Sequence, residues 1–122
     1  AEVPRQEIRR SPRIEVKITF SYQVVKSKIV VPQMHQGTIR DISYHGVLAE
    51  LDQELEPYSE IKLDLDLSLV GYKATDIYAK VLKTRQHEGS YLSAIEFTSV
   101  SVRSNMNIQQ FIHLLIQGSE IK

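Results

Sequence analysis

A chain of 122 residues, 42% hydrophobic and 25% charged, is long enough for one globular domain with a modest core and too short for two. Its 15 basic and 15 acidic residues balance, so no overall field draws it to nucleic acid or an anionic membrane, and any cationic site has to be local. Cysteine is absent, which excludes disulfides and thiolate metal sites; no apolar run reaches the length of a membrane span and no secretion signal is visible, so a cytoplasmic domain is expected.

The chain opens AEVPR, without an initiator methionine, as expected of a piece cut from a longer polypeptide. Residues 1–13 read as a flexible, arginine-rich arm. From Ile14 the pattern turns to period two: Ile14, Val16, Ile18, Phe20, Tyr22 and Val24 alternate with polar residues, the mark of a strand with one buried and one wet face. Ile29 to Val31 form a second β-branched run, and Pro32 behind it suits a long hairpin or an edge strand. Residues 38–43 and 47–51 read as strands separated by Gly46. After the loop at Pro57, Ile61, Leu63, Leu65, Leu67 and Leu69 alternate with polar residues until Gly71 breaks the pattern. Residues 77–85 and 91–97 are two further strands, joined at His87, Glu88 and Gly89.

Only the last stretch changes period. Ile108, Phe111, Ile112, Leu115 and Ile116 follow helical spacing, with Gln109, Gln110, His113 and Gln117 opposite, which predicts an amphipathic helix over 103–117 ended by Gly118. Six or so antiparallel strands over 14–98 and one helix predict a mainly β fold: a small barrel, or two packed sheets, with its open end or side covered by the helix.

Two motifs carry chemistry. Four of the seven arginines, Arg5, Arg9, Arg10 and Arg13, lie in the leader. Arginine's planar fork donates paired hydrogen bonds to guanine O6 and N7 or to phosphate oxygens, which lysine cannot copy. Both Arg5 to Arg9 and Arg9 to Arg13 satisfy R-x-x-x-R; the second register is favoured because Pro12 disfavours helix at Ser11 and Arg13 abuts the first strand. Alone, the cluster is equally a solvated basic leader. The second motif is Asp41, Ser43 and Gly46 in DISYHG. Residues two apart on a strand share a face, so the Asp41 carboxylate and Ser43 hydroxyl are expected to point the same way, while Gly46 lets the backbone turn and a ligand come close. Alone, this is also ordinary turn chemistry. Average usage gives R-x-x-x-R by chance in about a quarter of chains this long but D-x-S-x-x-G in only about 3%, so the second motif is the informative one.

Together, Arg9-Arg10-Ser11-Pro12-Arg13 running into an alternating strand and Asp41-Ile42-Ser43-Tyr44-His45-Gly46 leading into Val47 and Leu48 resemble the PilZ domain family over nearly the whole chain. The resemblance implies a six-stranded antiparallel β-barrel with a C-terminal helix, and a receptor domain for the bacterial second messenger cyclic di-GMP rather than an enzyme. It implies that Arg9 and Arg13 contact guanine edges and phosphates, that Arg10 adds a cationic or stacking contact, that Asp41 accepts from a guanine N–H, that Ser43 bonds near guanine or phosphate, and that Gly46 contributes shape. The stretch 24–38 is somewhat long for the family. Since Arg9, Arg10 and Arg13 precede the first strand, ligand is expected to order the arm and so signal to an attached output domain or partner protein. A nucleotide-independent interaction module of the same fold, and a small barrel binding single-stranded nucleic acid, are the alternatives.

Other groups carry less. His35, His45, His87 and His113 lack metal-ligand spacing, and no metal or cofactor is expected. Ser43 and His45 have no third group to make a nucleophile–base set. Asp64 and Asp66 fall on the polar face of their strand, and the six tyrosines are scattered.

Overall fold

A computed structural model describes residues 13–68 and 71–121. In chain order these form β1 (Ile14–Lys26), β2 (Ile29–Val30), β3 (His35–Ile42), β4 (Gly46–Leu51), β5 (Glu60–Leu67), β6 (Tyr72–His87), β7 (Ser90–Ser99) and α1 (Val102–Ile121). Leu69, expected at the end of β5, lies outside the described residues.

Alternation decides which way each strand faces. In β1, Phe20 and Tyr22 are buried and Ile14, Val16, Ile18 and Val24 pack against the same core, while the intervening polar residues face out. Ile61, Leu63, Leu65 and Leu67 of β5 do the same, all nearly inaccessible. β1 is long enough to serve two neighbours: residues 14–22 pair with β3 and residues 20–25 with β5. The sequence β1–β3–β4–β7–β6–β5 is antiparallel throughout and returns to β1, closing a six-stranded barrel. The two-residue β2 is added beyond the barrel, paired with Val25 and Lys26 across a tight turn in which Ser27 and Lys28 take positive φ of 51° and 67°. The stretch 24–38 is thus a long hairpin, interrupted at Pro32 before β3 resumes the ladder.

The pairing of β1 with β5 begins only at Phe20, and α1 covers the gap below it with Phe111 and Leu115. The helix starts at a Ser101 cap, whose hydroxyl accepts the Ser104 N–H at 3.1 Å. Ile108, Phe111 and Ile112 are buried, each contributing about 1.5–3 kcal/mol by removal of apolar surface from water. The Ser104 hydroxyl and the Asn107 amide donate to the carbonyls of Thr75 and Lys73, tying α1 to β6. One boundary differs from expectation: α1 continues through Gly118 to Ile121. A glycine stops a helix by adopting positive φ, and Gly118 does not; in the last turn its poor propensity costs only about 1 kcal/mol.

Candidate functional site

The site residues named from the sequence fall on either side of the first described position. Arg9 and Arg10, like Arg5, lie outside the described residues; Arg13, Asp41, Ser43 and Gly46 lie within them.

Asp41 owes its orientation to a break in strand regularity. Between β3 and β4, Ile39 pairs with Ala49 and Asp41 with the adjacent Leu48, so Arg40 is an extra residue on β3. On the other side, Val16 and Lys17 of β1 together oppose that same Arg40, between the pairs Glu15–Asp41 and Ile18–Ile39. A bulge bends the strand and resets which face each side chain occupies. Here Ile39 and Ile42 both turn into the core, and Arg40 and Asp41 both stay outside it.

Arg13, immediately before β1, reaches the same corner: its Nη1 donates to Asp41 Oδ1 at 3.0 Å. The Arg13 side chain is 53% exposed, so the ion pair itself is worth at most about 1 kcal/mol and is easily exchanged for another partner. The Asp41 carboxylate is only 19% exposed. Burial pushes its pKa up; Arg13 pulls it down, the Glu15 carboxylate opposite raises it again, the Leu48 backbone N–H lowers it, and the net shift is upward. Asp41 thus accepts from Arg13 and from the Leu48 N–H, and burial rather than a missing donor holds its pKa up.

Ser43 and Gly46 hold the turn that follows. The Ser43 N–H donates to the Gly46 carbonyl at 2.9 Å and the Ser43 hydroxyl to the same oxygen at 3.3 Å, while that hydroxyl accepts the His45 N–H at 3.3 Å. Ser43 lies past the end of β3 and is buried, so strand alternation does not carry its hydroxyl out beside the Asp41 carboxylate; in this structure it is spent on its own turn. Gly46 is required for a different reason from the one its place in a turn suggests. Its φ is not positive; instead, a Cβ there would stand 2.1 Å from the Ile95 carbonyl oxygen of β7. The glycine lets β4 and β7 approach, and so fixes where the turn and Asp41 sit.

Sequence reasoning missed the surroundings of Asp41. A groove of about 330 Å³ on the outer wall of the barrel is lined by Glu15, Val16, Arg40, Asp41, Leu48, His87 and Leu92. Strict alternation puts Arg40 on the face opposite Asp41, and only the bulge brings them together. The other histidines are exposed or half-buried, and among the described residues no group of three or more His, Asp or Glu is placed to hold a metal ion. Nor is any helix among them long and apolar enough to cross a membrane. Asp66 is exposed as expected, whereas Asp64 accepts the backbone N–H of Asp76 at 2.9 Å and holds a bulge of β6.

The family model described as PilZ domain matches residues 7–114. No curated protein sequence matches. Among solved structures, the chain is similar to the PilZ domain with c-di-GMP of YcgR from Escherichia coli, with a TM-score of 0.67 and 16% identity over 91% of this chain and 93% of that one. It is similar also to the MrkH–c-di-GMP complex of K. pneumonia, with a TM-score of 0.72 and 19% identity over 93% of this chain, and it spans only 55% of the MrkH chain. A third likeness is to the PilZ domain of CeSA from a cellulose-synthesizing bacterium, with a TM-score of 0.57 and 15% identity over 89% of this chain and 99% of that one. At these identities the likeness to solved structures is one of fold.

Proposed function

Since the chain belongs to the PilZ domain family, we propose that it is a non-enzymatic, cytoplasmic receptor domain that binds cyclic di-GMP at the corner where the leader joins the barrel. The observation that carries this proposal is the 3.0 Å contact of Arg13 with Asp41, which joins one residue from each motif at a single corner. The solved relatives whose titles include c-di-GMP lend support through shared fold.

Cyclic di-GMP carries two phosphate charges and two guanines. Arg13 exchanges its exposed bond to Asp41 for a bidentate bond to a phosphate or to guanine O6 and N7, and Asp41 accepts guanine N–H donors. Arg9 and Arg10 add further cationic contacts. Ser43 and Gly46 act mainly by fixing the turn, with the Ser43 hydroxyl available to the ligand if the turn yields. Binding draws the leader onto the barrel near Asp41, and an attached output domain or partner protein feels that closure.

Two measurements test these parts separately. In an equilibrium titration, Arg13→Ala loses most affinity and Arg13→Lys does not restore it, because an ammonium cannot replace the two-pronged contact; wild-type affinity in Arg13→Ala refutes the site. Limited proteolysis around Arg9 slows when nucleotide is added, and cleavage at an unchanged rate by a protein that still binds refutes leader closure.

A further inference from the structure

We infer that the barrel end opposite the Arg13–Asp41 corner is a self-association surface, on which the cationic hairpin 24–34 of one copy of this chain packs against the acidic loop 52–60 of a second copy, and the reverse. None of the residues assigned to cyclic di-GMP takes part.

Charge is segregated along the sequence although the whole chain is neutral. From Val16 to Arg40 the charged residues are Lys17, Lys26, Lys28 and Arg40, without a carboxylate; from Asp41 to Ile61 they are Asp41, Glu50, Asp52, Glu54, Glu56 and Glu60, without a lysine or arginine. The fold brings part of each stretch to one end of the barrel. Tyr22, at the root of the hairpin, stacks on His35 with ring centroids 5.1 Å apart, and its hydroxyl donates to Asp52 at 3.0 Å and accepts from Gln53 at 3.1 Å, where the loop leaves β4. Leu55 is buried in the core, so Glu54 and Glu56 on either side of it turn outward, and both are exposed. Lys26 and Lys28 are exposed at the hairpin tip, and among the described residues these four side chains make no ion pair. Each copy thus carries a positive and a negative lobe at one end, and a twofold axis sets each lobe against its opposite.

The same end exposes apolar surface and holds strained backbone. Ile29 and Tyr58 are each 68% exposed and Met34 54%, side chains of the kind that fill the centre of an interface while charges ring it. Lys28 and Tyr58 stand at positive φ of 67° and 69°, where glycine or asparagine is less strained. Strain of this kind collects where a side chain has a use, and here it presents a lysine and a tyrosine to solvent. The hairpin is braced beforehand: the Gln23 amide donates to the carbonyls of Val31 and Pro32 at 3.3 Å, and the Val31 N–H to the Val24 carbonyl at 2.8 Å. Docking therefore costs it little entropy.

A second copy fits this end better than other occupants do. An anionic lipid surface is repelled by the acidic loop, and a partner of uniform charge meets one lobe of its own sign. Tyr22 lies eight residues, about 26 Å, along β1 from Ile14, so the dimer leaves both Arg13–Asp41 corners open.

The test is sedimentation equilibrium of the full chain over a range of concentrations. Wild type passes from monomer to dimer as concentration rises, and added salt weakens the dimer. Lys26→Glu with Lys28→Glu, and separately Glu54→Lys with Glu56→Lys, each weaken it at least about tenfold, while melting stays close to the wild type because all four side chains are exposed. An equal mixture of the two charge-reversed proteins associates one to one, since each lobe again meets its opposite; a merely structural effect of the substitutions leaves the mixture monomeric. A wild type that stays monomeric up to about 1 mM overturns the inference and leaves the hairpin to a different partner. Dimerisation of either reversed protein at wild-type strength, or a mixture that fails to associate, overturns it as well.

Discussion

Replacing Gly46 by alanine isolates the part of the site that is architecture. The added Cβ would stand 2.1 Å from the Ile95 carbonyl oxygen and 3.2 Å from the Glu96 Cα, both backbone atoms that no rotamer change can move. A comfortable carbon–oxygen contact needs about 3.3 Å, so β4 and β7 have to part locally by about 1.2 Å. That displacement strains the adjacent Phe97 N–H to His45 carbonyl bond, now 2.8 Å. Overpacking of this kind costs about 1–3 kcal/mol and a lost ladder bond about 1 kcal/mol, together roughly 2–4 kcal/mol. For a domain of this size that is a fall in melting temperature of about 8–16 °C, read by scanning calorimetry or by circular dichroism. Cyclic di-GMP affinity measured well below the midpoint falls too, because the turn that follows Asp41 is displaced. A variant that melts within about 2 °C of the wild type refutes the reasoning, since it would mean that β4 and β7 do not approach as described.

Asp41→Asn separates function from stability. Burial raises the folded-state pKa of Asp41 above its unfolded value, so this group favours folding fully only below the unfolded pKa and loses that contribution as pH rises through the folded one. Asparagine removes the burden of the buried charge: the ligand-free variant is at least as stable as wild type at neutral pH, with any gain vanishing in acid, while cyclic di-GMP binding collapses; melting curves against pH and a titration check both halves. In the wild type, affinity is retained above the raised pKa and declines as pH falls through it, because a protonated carboxyl no longer accepts from guanine; a flat profile down to pH values typical of ordinary carboxylates, about 4, contradicts the role given to Asp41. Tyr22→Phe serves as a distant control. The Tyr22 hydroxyl donates to Asp52 at 3.0 Å and accepts from Gln53 at 3.1 Å, eight residues or about 26 Å along β1 from Ile14, so its loss costs about 1 kcal/mol of stability and leaves affinity unchanged. Ile112→Ala opens a void beneath α1 and costs about 2–5 kcal/mol, seen as a lower melting temperature.

The barrel was legible because its strands obey the period that solvent and core impose. Ile14 to Tyr22 and Ile61 to Leu67 announce their inner faces residue by residue, and Ile108, Phe111 and Ile112 announce the helix. What alternation cannot reveal is where it stops. The extra residue at Arg40 leaves no mark in the sequence, because an isoleucine, an arginine and an aspartate in a row fit a regular strand as well as a bulged one; yet it moves Arg40 to the side of Asp41. Leu48 and Leu92 were hidden for the same reason, since a leucine in a strand reads as core and only pairing with Asp41 and Glu50 assigns it to the outer wall. Ser43 departs from the expected shared face because the strand ends at Ile42, before alternation can reach it. Gly46 is legible as special from its residue type, but its cause, the Ile95 carbonyl on β7, is tertiary.

Binding as proposed depends most on Arg13 and Asp41 meeting over one ligand. Calorimetric titration of cyclic di-GMP into the wild-type chain and into Arg13→Ala tests that directly, giving affinity and ligand count together. Saturable heat from the wild type, reduced by at least about tenfold in affinity in the variant, is the predicted result. No heat from the wild type, or equal affinity in the two proteins, contradicts it.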